Sequence, residues 1–93
     1  MSGRGRRIEE VLRAAFAPAF LAVEDDSARH AGHAGARPGG ETHYRVAIVS
    51  ASFAGRSRIE RQRTVHAALA GEFASGLHAL SLTLRTPEEA GAR

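Results

Sequence analysis

Apolar residues recur at helical spacing near the start of the chain. Ile8, Val11, Leu12, Ala15 and Phe16 follow the i, i+3, i+4, i+7, i+8 rule and predict an amphipathic helix over residues 6–17. Pro18 ends it, because proline disfavours the helical region for the residue before it. The period then shortens. Residues 20–26 predict a strand with Leu21 and Val23 on one face. Residues 28–40 are rich in Gly, Ala and His, lack periodicity and predict a long loop. Loops beyond about 12 residues in a small domain are uncommon and often functional. Residues 44–50 predict the best strand, with Tyr44, Val46 and Ile48 alternating and Val49 apolar on the other face. Both faces of that strand are therefore partly covered.

A second helical period follows. Ser57 and Glu60 form an S-x-x-E capping box. It opens a predicted helix over residues 57–74, with Ile59, Gln62, Val65, His66, Leu69 and Phe73 along one face. Gly76 is a C-terminal stop. Residues 78–86 predict a third strand, with Leu80, Leu82 and Leu84 in strict alternation. Thr86 or Pro87 opens a short final helix whose first turn carries Glu88 and Glu89.

The order is α-β-β-α-β with a short helical tail, an α/β fold of the α+β kind. The second and third strands are joined through a helix, which predicts a parallel pair with a right-handed crossover. The first two, joined by a loop, are expected to be antiparallel. The result is a three-stranded mixed sheet with helices on one face, leaving the other face or the loop edge for a partner. Residues 1–5 read as a flexible N-terminus, 6–88 as a single domain and 89–93 as a flexible tail.

Composition narrows the chemistry. At 93 residues the chain holds one domain with a modest core. It has no cysteine, which excludes disulfides and thiolate metal sites of its own. A metal site must use histidine and carboxylate, or borrow ligands from elsewhere. All 13 basic residues are arginine, and the net charge of +3 permits nucleic-acid binding without arguing for it. No segment approaches the roughly 20 apolar residues of a membrane span. Glu9 and Glu10 interrupt any apolar run behind the N-terminal arginines, so a secretory signal is not expected and the cytoplasm is the expected compartment.

Read from the residues alone, the candidate sites have bland explanations. His78 is a strand-end histidine bonded to a backbone carbonyl. His30 and His33 are exposed loop polarity, His43 is structural at a strand start, and His66 is structural or exposed. Arg56, Arg58, Arg61 and Arg63 crowd the first turns of a helix, either as a solvated face or as a surface for phosphate or an acidic partner. Their helical angles spread them around the axis. Serines 50, 52, 57 and 75 show no triad logic, and no Walker, Rossmann or zinc-protease pattern occurs. No enzymatic activity is expected.

Taken in order, Asp25-Asp26-Ser27, Arg29-His30, Gly40-Glu41-Thr42-His43-Tyr44, Val49-Ser50, Phe53-x-Gly55, Arg61-x-Arg63-x-Val65 and His78-Ala79-Leu80-Ser81-Leu82 resemble the BolA-like proteins over about residues 6–88. The resemblance implies a fold like a class II KH domain. It also implies pairing with a monothiol, CGFS-type glutaredoxin that, with glutathione, supplies thiolates to a shared [2Fe–2S] cluster. By the same resemblance this chain supplies His78 and a loop histidine, His30 by its distance from Ser27, with His33 as the alternative. No cofactor is expected on the isolated chain, which is expected to be a monomer or weak homodimer. One departure stands out: the family's long helix usually carries Arg-His-Arg, and here it is Arg61-Gln62-Arg63. Glutamine neither titrates near neutral pH nor binds metal well. The alternative function is a DNA-binding transcriptional regulator using the helix over 57–74 and its four arginines. No GXXG loop or interleaved aromatics support it.

Overall fold

Helix α1 (Gly3–Phe16) buries Gly5, Ile8, Leu12 and Phe16 on one face. The computed structural model describes residues 3–26 and 42–91. Ile8 and Leu12 are fully buried, and each such side chain contributes about 1.5–3 kcal/mol relative to exposure. The helix starts earlier than its apolar spacing predicts because Arg4 is anchored at its far side. Its guanidinium donates to the Glu72 carboxylate (2.8 Å) and to the main-chain oxygens of Glu72 and Ser75. It stops at Pro18 as expected, with Ala17 turned into the left-handed region at φ 44°.

Strand β1 (Phe20–Asp25) pairs antiparallel with β2 (His43–Val49), and β2 pairs parallel with β3 (Ala79–Arg85). The sheet order is β1-β2-β3, so the predicted mixed three-stranded sheet is present. Tyr44, Val46 and Ile48 of β2 are buried, and Leu80, Leu82 and Leu84 of β3 and Leu21 and Val23 of β1 pack beside them. All of these belong to one sheet face, the face the helices cover. The other face carries rows such as Glu24, Arg45 and Ser81, which register across the three strands and are exposed.

A 3-10 turn (Ala51–Phe53) follows β2. Ser50 fixes it: its hydroxyl donates to the Phe16 carbonyl (2.6 Å) and accepts from the Ser52 amide. Phe53 is thereby pinned in the core against Phe16, with ring centroids 5.2 Å apart. Helix α2 (Arg58–Ala68) opens with the predicted capping box in full, Ser57 Oγ accepting from the Glu60 amide and Glu60 accepting from the Ser57 amide.

The predicted single helix to residue 74 is broken. The chain tightens at Leu69, whose amide donates to the carbonyls of both Val65 and His66, and restarts as α3 (Ala70–Ala74). Gly71, a poor helix former, lies in that restart. The predicted inner face also needs correction. Ile59 is 61% exposed, and His66 is exposed. At about 100° per residue, both sit roughly 100–120° round the helix from buried Val65, while Leu69 lies close to it. Gly76, at φ 128°, redirects the chain after α3 so that buried Leu77 plugs the core before β3 begins. Helix α4 (Pro87–Ala90) closes the described chain, capped by Thr86 with proline in the first turn. No helix among the described residues is long and apolar enough to cross a membrane.

Candidate functional site

Two features of the fold gather chemistry-bearing side chains. The first is at the start of the parallel pair β2 and β3. Thr42 accepts main-chain hydrogen bonds from both His78 (2.8 Å) and Ala79 (3.1 Å), which ties the start of β3 to the residue before β2. His43 registers opposite Ala79, so His78 falls beside it; the two imidazole centroids are 6.2 Å apart. His78 is exposed, and His43 is half-buried with its Nδ1 3.1 Å from Thr42 Oγ1. Thr42 itself is only 3% exposed, so that hydroxyl is a fixed partner.

His78 lies immediately before β3, at the strand end its sequence position predicts. His43, expected to be structural at a strand start, lies next to His78. A parallel pairing of residues 43 and 79 was the signal for this, but it required the register, which periodicity alone does not give. The loop candidates His30 and His33 lie outside the described residues. His66 is remote in role, stacked on Phe73 with centroids 5.2 Å apart. Among the described residues, no three His, Cys, Asp or Glu side chains are arranged to hold a metal ion.

The second feature is a groove of about 610 Å³ between the start of α2 and β3. Arg56, Arg58, Arg61, Gln62, Arg85 and Glu89 are among its lining residues, with Leu82 and Leu84 alongside. Arg58 and Arg61 lie within about 40° of Val65 round the helix, which carries them over the sheet. The expectation that the arginines scatter is therefore corrected for these two. Arg63 is exposed and does not line the groove. Arg85 was missed: it follows Leu84 in strict alternation, and only the sheet brings it to α2.

Arg61 is not available to a ligand in this arrangement. It holds Glu89 through two hydrogen bonds, of 2.7 and 3.1 Å, and also donates to the carbonyls of Leu84 and Arg56. These bonds, with the Thr86 amide behind the carboxylate, hold the Glu89 pKa down at about 2, from an ordinary 4.5. The same pairing raises the Arg61 pKa further. Glu72, clasped by Arg7 and Arg4, is likewise lowered, and Glu60 is lowered by the Ser57 amide of its capping box.

The comparisons with known proteins agree with this architecture. The BolA-like protein family model matches residues 12–89. A SufE-like protein 1, chloroplastic/mitochondrial, of Arabidopsis thaliana is 45% identical over 93 residues, covering 96% of this chain and 25% of that protein. The DNA-binding transcriptional regulator BolA of Escherichia coli (strain K12) is 45% identical over 83 residues, covering 89% of this chain and 75% of that protein. The solved BolA domain of SufE1 from Arabidopsis thaliana superposes with a TM-score of 0.87 at 45% identity, covering 96% of this chain and 98% of that one. The chain thus spans a quarter of the plant SufE-like protein and, in other curated relatives such as a chloroplastic BOLA1 protein of the same plant, somewhat over half.

Proposed function

This chain belongs to the BolA-like protein family, and on that premise we propose that it is a non-enzymatic adaptor that pairs with a monothiol glutaredoxin and helps hold a shared [2Fe–2S] cluster as cargo. The observation that carries the reading is His78, an exposed imidazole fixed at the start of β3 on a chain with no thiol of its own. Imidazole coordinates cluster iron in place of cysteine and raises its reduction potential. The donor set fits a shared site and not a private one: the partner and glutathione supply sulfur, and this chain supplies His78 with a loop histidine, His30 or else His33. The role would be cluster storage, delivery or iron sensing, in the cytoplasm. The plant relatives are described as chloroplastic or mitochondrial, which is said of those proteins.

The test is to purify the chain with and without a monothiol glutaredoxin and glutathione under anaerobic conditions. The reading expects a colourless chain alone. It expects visible absorbance of the complex that differs from that of the glutaredoxin alone. A complex that fails to form, or whose spectrum matches the glutaredoxin's own cluster, defeats it.

A second reading, DNA binding, is favoured by the groove. Arg56, Arg58 and Arg85 bring three cations to one cleft, and the Escherichia coli relative is described as a DNA-binding transcriptional regulator. Phosphate contacts of this kind give affinity without sequence selectivity. We place this reading second because Arg61, at the groove's centre, is already neutralised by Glu89.

A further inference from the structure

We infer that the outer edge of β3, with the three arginines beside it, docks an extended acidic segment of another protein, which joins the sheet as a fourth strand. The inference uses the groove described above. It rests on neither the cluster nor the glutaredoxin, and it needs no histidine.

The main chain of β3 is the first support. Among the described residues β3 has β2 on one side and no strand on the other. The Arg85 carbonyl accepts from the Ser50 amide (2.9 Å), and the Ala79 amide donates to the Thr42 carbonyl (3.1 Å). Ladder bonds of a parallel pair alternate along the strand, so residues 79, 81, 83 and 85 turn their amides and carbonyls toward β2. Leu80, Leu82 and Leu84 therefore turn theirs outward. One of these outward groups is taken: the Leu84 carbonyl accepts from Arg61 (3.1 Å). The edge is not sealed by side-chain packing. Leu80, Leu82 and Leu84 are half-buried, whereas their register partners Tyr44, Val46 and Ile48 in β2 are buried. An outward row of main-chain donors and acceptors is the template on which an extended peptide adds.

Charge decides what is added. Arg56, Arg58 and Arg85 are exposed, line the groove beside this edge and form no ion pair among the described residues. Glu89, the carboxylate among the lining residues, is already held by Arg61. It also shows what the groove accepts: a carboxylate, gripped by a guanidinium that bonds the β3 edge. Three cations remain, and their complement is a segment carrying about three carboxylates. Leu82 and Leu84 offer its apolar side chains a surface. A nucleic acid fits less well. No aromatic side chain lines the groove for bases to stack on, and outward amides and carbonyls match another main chain.

The experiment follows a fluorescein-labelled peptide binding to the untagged full chain by fluorescence anisotropy and amide NMR. The peptide has seven residues, the length of β3. Valine and threonine alternate in its first part, and three glutamates, one for each unpaired arginine, end it. Saturable binding is expected, with amide shifts centred on residues 80–84. Replacing Arg56, Arg58 and Arg85 together with glutamine should weaken binding at least about tenfold. Arg63→Gln, outside the groove, should leave it within about twofold. The amide spectrum of each variant reports its fold. Two further peptides of unchanged charge are N-methylated on one or the other set of alternate amides. One of them should bind at least about tenfold more weakly, because its main chain cannot pair with the edge. The inference is overturned by absence of saturable binding, by full affinity in the triple variant, or by full affinity of both methylated peptides. Displacement of the peptide by a single-stranded oligonucleotide of equal charge, well below the peptide's own Kd, makes the groove a nucleic-acid site instead. Shifts at residues 80–84 that track dimer formation in the absence of peptide assign the edge to a second copy of the chain. Glutaredoxin and cluster are absent throughout, so each of these failures leaves the cluster reading standing.

Discussion

Arg61 and Glu89 face each other across the end of β3, guanidinium to carboxylate, through two hydrogen bonds of 2.7 and 3.1 Å. The pair joins three elements. Arg61 springs from α2, also bonds the Leu84 carbonyl of β3, and meets a carboxylate that caps α4 through the Thr86 amide. The arginine that the sequence offers as a nucleic-acid contact is thus a clamp that holds the C-terminal turn on the sheet.

The clamp has a pH signature. Glu89 has a folded-state pKa of about 2, below its ordinary 4.5, so it binds fewer protons folded than unfolded between those values. Its contribution to stability is present above about pH 4.5 and is lost as pH falls toward 2. Denaturant unfolding of the wild type and Glu89→Gln across pH 6 to 2 should show curves that separate above pH 4.5 and converge at the acid end. A constant gap across the range would show that the charge of Glu89 is not what matters.

Two apolar side chains of the same region should behave oppositely. Phe53 is fully buried against Phe16, and Phe53→Ala should cost about 3–5 kcal/mol. Ile59, 61% exposed, was expected on the inner face of α2; Ile59→Ala should change stability by no more than about 0.5 kcal/mol. Chemical denaturation decides both, and a large loss at Ile59 would place it back in the core.

The groove yields a prediction about salt. If the chain binds DNA, Arg56, Arg58 and Arg85 carry the contacts, and replacing all three with glutamine should lower the salt slope of log affinity by roughly 2–3 units. Arg61→Gln should lower stability while leaving the slope nearly unchanged, because its charge is spent on Glu89. Equal falls in slope for Arg61→Gln and for any one of the other three would contradict the clamp.

Much of this fold was legible because period and punctuation agree. Period-3.6 spacing from Ile8, period-2 spacing from Tyr44 and Leu80, the Ser57–Glu60 box and Pro18 each specify one local state, and the sheet follows from their order. What was not legible depended on register or on long-range side chains. The early start of α1 involves Arg4 reaching Glu72, 68 residues away. The nearness of His43 to His78 follows from the pairing of His43 with Ala79, and the burial of Arg61 in an ion pair follows from a tail helix that brings Glu89 back. Ile59 fitted the helical stripe by spacing and failed by angle, since a stripe can be drawn through either side of Val65.

The role of His78 is the centre of the account, and the absorption and electron paramagnetic resonance spectra of the assembled complex test it most directly. His78 is exposed, so His78→Ala should cost about 0.5 kcal/mol or less in stability and leave the proposed pairing with glutaredoxin intact. The account predicts that the mutant complex loses the wild-type histidine-type spectrum, because one of the two imidazoles this chain gives the cluster is gone. A His78→Ala complex with the wild-type spectrum would contradict it.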